Sequence, residues 1–133
     1  MRLTRYKNPW NEHTLEVIEL SPLLKDLKAF SLASDRPTSP YQPSIYLTGG
    51  IQCGSPQESK AAYEFDIEDG KWHEDRLPEL RDKRSCHASC TADAQLIVSG
   101  GFNFESGALD TYEILDLNNR NERWQGVTYA QCM

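Results

Sequence analysis

The residues best suited to chemistry are the sulfur and imidazole groups of Cys86-His87-x-x-Cys90, whose types and spacing suggest half of a zinc site. On an extended strand, however, Cys86, Ala88 and Cys90 point to one face and His87 to the other, so the three do not converge. No second Cys/His pair lies nearby, and Cys53 and His73 are too isolated to complete a set. The same divergence argues against a cysteine–histidine nucleophile. The carboxylates Glu64, Asp66, Asp69, Glu113 and Asp116 read as turn-fixing acceptors and solvated strand edges, not as an acid–base pair. These residues therefore assign no catalytic group, no metal ligand and no cofactor site.

The elements that hold these residues belong to a chain of 133 residues with a formal net charge of -6. Fourteen Lys and Arg against twenty Asp and Glu supply no basic stripe for phosphate, so no nucleic-acid partner is expected. The N-terminus is basic but lacks the apolar core of a secretory signal, and no apolar run approaches the roughly twenty residues of a membrane helix. A soluble, cytoplasmic setting is expected, with Cys53, Cys86, Cys90 and Cys132 as free thiols.

A repeat of about fifty residues organises the chain. Ser44-Ile-Tyr-Leu-Thr-Gly-Gly50 recurs as Gln95-Leu-Ile-Val-Ser-Gly-Gly101, Phe65-Asp66 as Leu115-Asp116, and Trp72 as Trp124. Tyr63-Glu64 and Tyr112-Glu113 echo one another but slip by one residue against the aspartates. Short β-branched or aromatic runs stopped by a glycine pair predict strands. Tyr63, Phe65 and Ile67 alternate with Glu64, Asp66 and Glu68, the period of a half-buried strand, and Asp69-Gly70 predicts the hairpin turn that follows. Recurrence places Trp72 and Trp124 in packing positions. Small residues at Lys28–Ser34 and Arg84–Ala92 predict a crowded strand opening each copy, and Asp35–Pro43, with three prolines, predicts an exposed loop.

The order is small-residue strand, Gly-Gly strand, aromatic-Asp strand, turn and Trp, and it resembles the kelch repeat over residues 28 to 127. Phe65-Asp66-x5-Trp72, Arg84-x-x-His87 and the apolar-Pro linker Leu77-Pro78-Glu-Leu80 carry the resemblance. It implies an all-β fold of four-stranded antiparallel β-propeller blades. The first blade takes strands near 28–34, 44–48, 61–67 and 72–75, and the second takes strands near 86–92, 95–99, 110–116 and 123–127. The domain reading is an N-terminal remnant at 1–27, blade 1 at 28–75, blade 2 with its inter-blade loop at 76–127, and a tail at 128–133. Within the remnant, Trp10 and His13–Leu20 suggest the outer strand of a preceding blade, with Ser21-Pro-Leu-Leu24 as linker. In the first copy Lys28 and Ser31 stand where Arg84 and His87 stand in the second. Two blades make an incomplete ring, which favours a piece of a longer propeller over a self-assembling ring or an open array.

The resemblance also implies a protein–protein interaction module with no enzymatic activity, acting through the inter-blade loop and the loops that follow each Gly-Gly. Gln52, Asn103 and Phe104 are candidate contacts by loop position. Arg81, Lys83 and Arg84 form a basic run that suits either an acidic segment of a partner or a solvated inter-blade loop with Arg84 pinned to a neighbouring strand. The alternatives are a propeller-class enzyme, resembling galactose oxidase or acting on glycans, and a structural piece that self-associates through exposed blade edges.

Overall fold

The computed structural model describes residues 3–7, 14–18, 26–35 and 44–129. The described residues form fourteen strands and no α-helix, so none of them is long and apolar enough as a helix to cross a membrane. An antiparallel hairpin joins β1 (Leu3–Lys7) to β2 (Thr14–Ile18). The hairpin forms a two-stranded sheet of its own, and Trp10, His13 and the linker at 21–24 lie outside the described residues, as do residues 36–43 of the proline-rich loop and Cys132.

The first repeat is β3 (Leu27–Lys28), β4 (Ser31–Ser34), β5 (Ser44–Thr48), β6 (Ile51–Gln52), β7 (Ala62–Asp66) and β8 (Lys71–His73). The second is β9 (Ala88–Ala92), β10 (Gln95–Ser99), β11 (Phe102–Asn103), β12 (Gly107–Ala108), β13 (Thr111–Asp116) and β14 (Gln125–Thr128). Each repeat builds one four-stranded antiparallel sheet, ordered β4-β5-β7-β8 and β9-β10-β13-β14. The fold is all-β and propeller-like in arrangement, with neither sheet closed on itself.

Register makes the two copies comparable residue by residue. Ser44 faces Asp66 and Gln95 faces Asp116, which matches Phe65 to Leu115, Glu64 to Ile114 and Tyr63 to Glu113. The Tyr-Glu echo in the sequence is therefore coincidental, and Tyr112 stands where the first copy has Ala62. Backbone kinks repeat as well, with Ala29 at φ 55° and Cys86 at φ 54°. Lys28 pairs with Ile51 as Ser85 bridges Phe102, so the counterparts of Arg84 and His87 are Leu27 and Phe30, one residue earlier than the sequence alignment gives. The loops before the strands differ in length, which hides that offset.

Both glycine pairs are left-handed, at φ 60° and 92° for Gly49 and Gly50 and 65° and 91° for Gly100 and Gly101. A side chain at Gly101 would lie 2.5 Å from the Ser85 carbonyl, and one at Gly50 would lie 2.8 Å from that of Lys28. The second glycine is needed because the strand that opens the repeat crosses directly over it.

Strand alternation gives each sheet a front and a rear. The front of the first sheet carries Ala33, Tyr46, Thr48, Ala62 and Glu64. The rear of the second carries Leu96, Val98, Glu113 and Leu115. These two faces meet, and Ala33, Tyr46, Ala62, Leu96, Val98, Leu115 and Trp124 form one core with Leu77 and Leu80 from the connecting loop. Trp124 is fully buried and donates from Nε1 to the Pro78 carbonyl at 2.8 Å. Its counterpart Trp72 is half-buried, edge-on to Phe65 with centroids 5.2 Å apart. The innermost strands β4 and β9 run side by side, linked by Ser31 Oγ to Ser89 Oγ at 2.7 Å and Thr91 Oγ1 to the Ser34 carbonyl at 2.6 Å.

Two expectations about burial change. The strand stops at Asp66 and leaves Ile67 exposed, while Tyr63, Glu64 and Phe65 are all buried. Glu64 and Glu113 are not solvated strand edges. Glu64 accepts a hydrogen bond from Arg120 at 2.8 Å, and Arg120 also lies 5.8 Å from the Tyr46 ring centre. Asp66 and Asp116 do fix their turns, accepting from Glu68 N at 2.8 Å and Asn118 N at 2.9 Å.

Candidate interaction surface

Three segments gather at the Gly-Gly end of the sheets: the loop from β6 to β7, the connection from β8 to β9, and the β11–β12 hairpin. The left-handed glycines turn the chain out of each second strand, and backbone hydrogen bonds then lace the segments together. Gly50 N donates to the Arg84 carbonyl at 2.9 Å, Arg84 N to the Ser59 carbonyl at 3.3 Å, and Leu80 N to the Lys60 carbonyl at 2.8 Å. Ser85 and Phe102 exchange backbone bonds of 3.0 and 2.9 Å. The loops expected to share one side of the molecule are thus physically joined.

The six candidate contact residues divide by burial. Asn103 is buried and acts as a brace, donating to the Lys83 carbonyl at 2.9 Å and accepting from Ser106 N at 2.7 Å. Phe104 follows it at the hairpin tip and is 82% exposed. Its own N–H donates to the Glu58 carboxylate at 3.2 Å, tying the tip to the neighbouring loop. Gln52 is exposed on the lip of a cleft of about 300 Å³, with Lys60, Glu74 and Glu79 around it and Leu27 and Tyr63 in its wall.

The three basic residues do not form one patch. Exposed Arg81 lies over Gly126 of β14, where a side chain at that glycine would meet its Nε at 3.3 Å. Lys83 reaches back to the Gln57 side chain at 2.7 Å. Arg84 is fully buried, pairing with Glu113 at 2.7 Å and donating to the carbonyls of Gly100 at 2.8 Å and Thr111 at 3.2 Å. Glu113, also fully buried, accepts in addition from Arg81 N at 2.5 Å and Asp82 N at 3.2 Å. Arg84 is a structural ion inside the joint and is not available to a partner. Nothing in the sequence marks Glu113 as its mate, since a separation of 29 residues carries no local signal.

Searches against protein-family models and among curated proteins find no match for this chain. Its chemistry is therefore read from its own side chains. His87 is buried and shares a hydrogen bond of 2.8 Å between its Nε2 and Thr48 Oγ1. Burial and then the adjacent Arg84 charge push its pKa down to about 4, so it is neutral near pH 7. Cys86 and Cys90 are exposed and free, as is Cys53. At the far side of the first sheet, ligand-type atoms of Asp66, Asp69 and His73 lie within 4.8 Å of one another. Arg76 already supplies the positive charge there, bonding Asp66 at 2.8 Å and approaching Asp69 at 3.8 Å. That hydrogen bond holds the Asp66 carboxyl below its ordinary pKa. Burial, with the hydrogen bond to Asp35 adding to it, raises the Tyr46 phenol well above its usual range.

Proposed function

We propose that this chain is a kelch-like, propeller-type interaction module that grips a protein partner with the loop rim at its Gly-Gly end. The observation that carries the reading is Phe104, a large apolar side chain almost wholly in solvent on a hairpin that is tied down from both sides. Exposed aromatics on pre-ordered loops make effective contacts because little conformational freedom remains to be lost on binding. Phe102, at 44% exposure, and Gln52 extend the surface, and Arg81 adds a cation at its margin.

A binding role without catalysis also agrees with the commitments of the polar groups. Glu113 is held by Arg84, Glu64 by Arg120, Asp66 by Arg76 and His87 by Thr48. Three exposed free thiols fit a reducing, cytoplasmic setting.

The test compares the wild-type chain, Phe104→Ala and an Arg81→Ala/Lys83→Ala double variant. Proteins retained from a lysate by the wild type identify a partner, which is then purified and titrated by calorimetry. Phe104→Ala is expected to weaken binding at least about tenfold, the size of effect a central aromatic contact gives, and the double variant less. Equal affinity for wild type and Phe104→Ala would sink the assignment.

A further inference from the structure

One place in the repeat is filled in the second copy and open in the first. In the second, the connecting loop lays two arginines over the end of the third strand. Arg84 is buried against Glu113 and donates to the Thr111 carbonyl, while Arg81 lies over Gly126. By register, Leu27, Tyr63, Ala61 and Glu74 of the first repeat hold the positions of Arg84, Glu113, Thr111 and Gly126. All four line the cleft of about 300 Å³ that Gln52 edges. Leu27 has no donor to offer there, so the acceptors that an arginine would satisfy are left facing the opening.

Glu74 and Glu79 are exposed at this cleft, Lys60 is half-buried in it, and Leu27 and Leu77 give it apolar wall. Among the described residues, none of these three charged side chains has an ion-pair or hydrogen-bond partner. Elsewhere on the same sheet Glu64 and Asp66 are held by Arg120 and Arg76. Lys60 can balance one carboxylate, which leaves one negative charge in excess. Tyr63 is 6% exposed, and its hydroxyl also has no partner among the described residues. That oxygen is not one of the fully buried unpaired atoms, so it opens into the cleft that Tyr63 lines. The Ala61 carbonyl accepts from Gly49 N at 2.9 Å, as the Thr111 carbonyl accepts from Gly100 N at 3.0 Å. Each keeps a second lone pair, which in the second repeat Arg84 uses.

We propose that this cleft binds the arginine side chain of a partner protein. Glu74, Glu79 and the Tyr63 hydroxyl take its guanidinium, and Leu27 and Leu77 take its aliphatic stem. A guanidinium fits such a set because it only donates, does so in several directions at once, and sheds water readily. The volume lies at the small end of ligand pockets, which suits one side chain entering from a partner. The cleft adjoins the loop rim at Gln52, but its chemistry does not depend on the reading given to Phe104.

The test titrates the full, isotopically labelled chain with N-acetyl-arginine methylamide and with its neutral citrulline and cationic lysine counterparts, followed by NMR. The arginine probe is expected to give saturable shifts at the amides of Ser59–Ala62, Glu74 and Glu79, with a dissociation constant on the order of 1 mM. The lysine probe should bind about threefold more weakly, and the citrulline probe at least about tenfold more weakly. Glu74→Gln together with Glu79→Gln, which alters exposed side chains alone, should weaken the arginine probe at least about tenfold. Tyr63→Phe should weaken it about fivefold, the loss of one hydrogen bond. Equal affinity for the arginine and citrulline probes, full affinity in the double variant, or shifts confined to other residues overturns the proposal. So does concentration-dependent movement of the cleft amides without any probe, since the occupant would then be a second copy of this chain.

Discussion

Where the opening residue of each repeat meets its third strand, the first copy sets Leu27 and Tyr63 along the wall of one cleft, and the second buries Arg84 against Glu113. The backbone around the two places is the same, down to the left-handed Ala29 and Cys86 and the two glycine pairs. One geometry therefore accepts an apolar pair or an ionic one. The ionic version is the more demanding. Arg84 Nε and His87 Nδ1 are the two buried side-chain polar atoms, among the described residues, without a hydrogen-bond partner. What the ion pair adds is connection: Glu113 collects the N–H groups of Arg81 and Asp82, and Arg84 the carbonyls that leave β10 and enter β13. The second repeat thereby fastens its entering loop to its own sheet.

Breaking that pair from one side should give the largest effect. Glu113→Leu leaves a buried guanidinium uncompensated and is expected to cost about 3–5 kcal/mol in urea unfolding. Next come the glycines. Gly101→Ala forces both an unfavourable φ and a clash with the Ser85 carbonyl, for about 2–3 kcal/mol. Gly54→Ala, at φ 87° with open space around it, should cost only about 1 kcal/mol in the same assay.

Acid should act through His87. Its folded pKa of about 4 lies below the ordinary imidazole value of 6.5, so between those values the unfolded chain binds the extra proton. Stability is then full above about pH 6.5 and falls by about 3 kcal/mol as pH drops toward 4, levelling off below. His87→Gln should flatten that part of the urea-midpoint profile, whatever its effect at neutral pH. The smallest expected change is at the rim. Phe104→Ala should shift the unfolding free energy by less than about 0.5 kcal/mol, since the side chain is in solvent.

The strands were legible because their signals are local. The Gly-Gly pairs, the alternation through Tyr63 and Phe65, and the Asp-led turns each declare themselves within a few residues. Phe104 was reachable by loop position alone. The one-residue offset that pairs Leu27 and Phe30 with Arg84 and His87 was not, because Phe30 resembles neither member of the motif and unequal loops blur the count. Nor was the burial of Glu64 and Glu113, or the identity of the strand residue that pins Arg84. A buried charge is recognisable only from its partner, and here the partners come from other strands and turns. The basic run at 81–84 looked like one surface because sequence proximity conceals that its side chains leave in different directions.

The central claim is that the two sheets are copies of one unit that solve the same packing problem with different side chains. Its most direct test is to give the second repeat the first repeat's solution, Arg84→Leu together with Glu113→Tyr, and to measure unfolding in urea beside both single variants. If the positions are equivalent, the double variant should regain more than half of what the worse single variant loses and unfold within about 1.5 kcal/mol of wild type. A double variant whose loss equals the sum of the two single losses would contradict the equivalence.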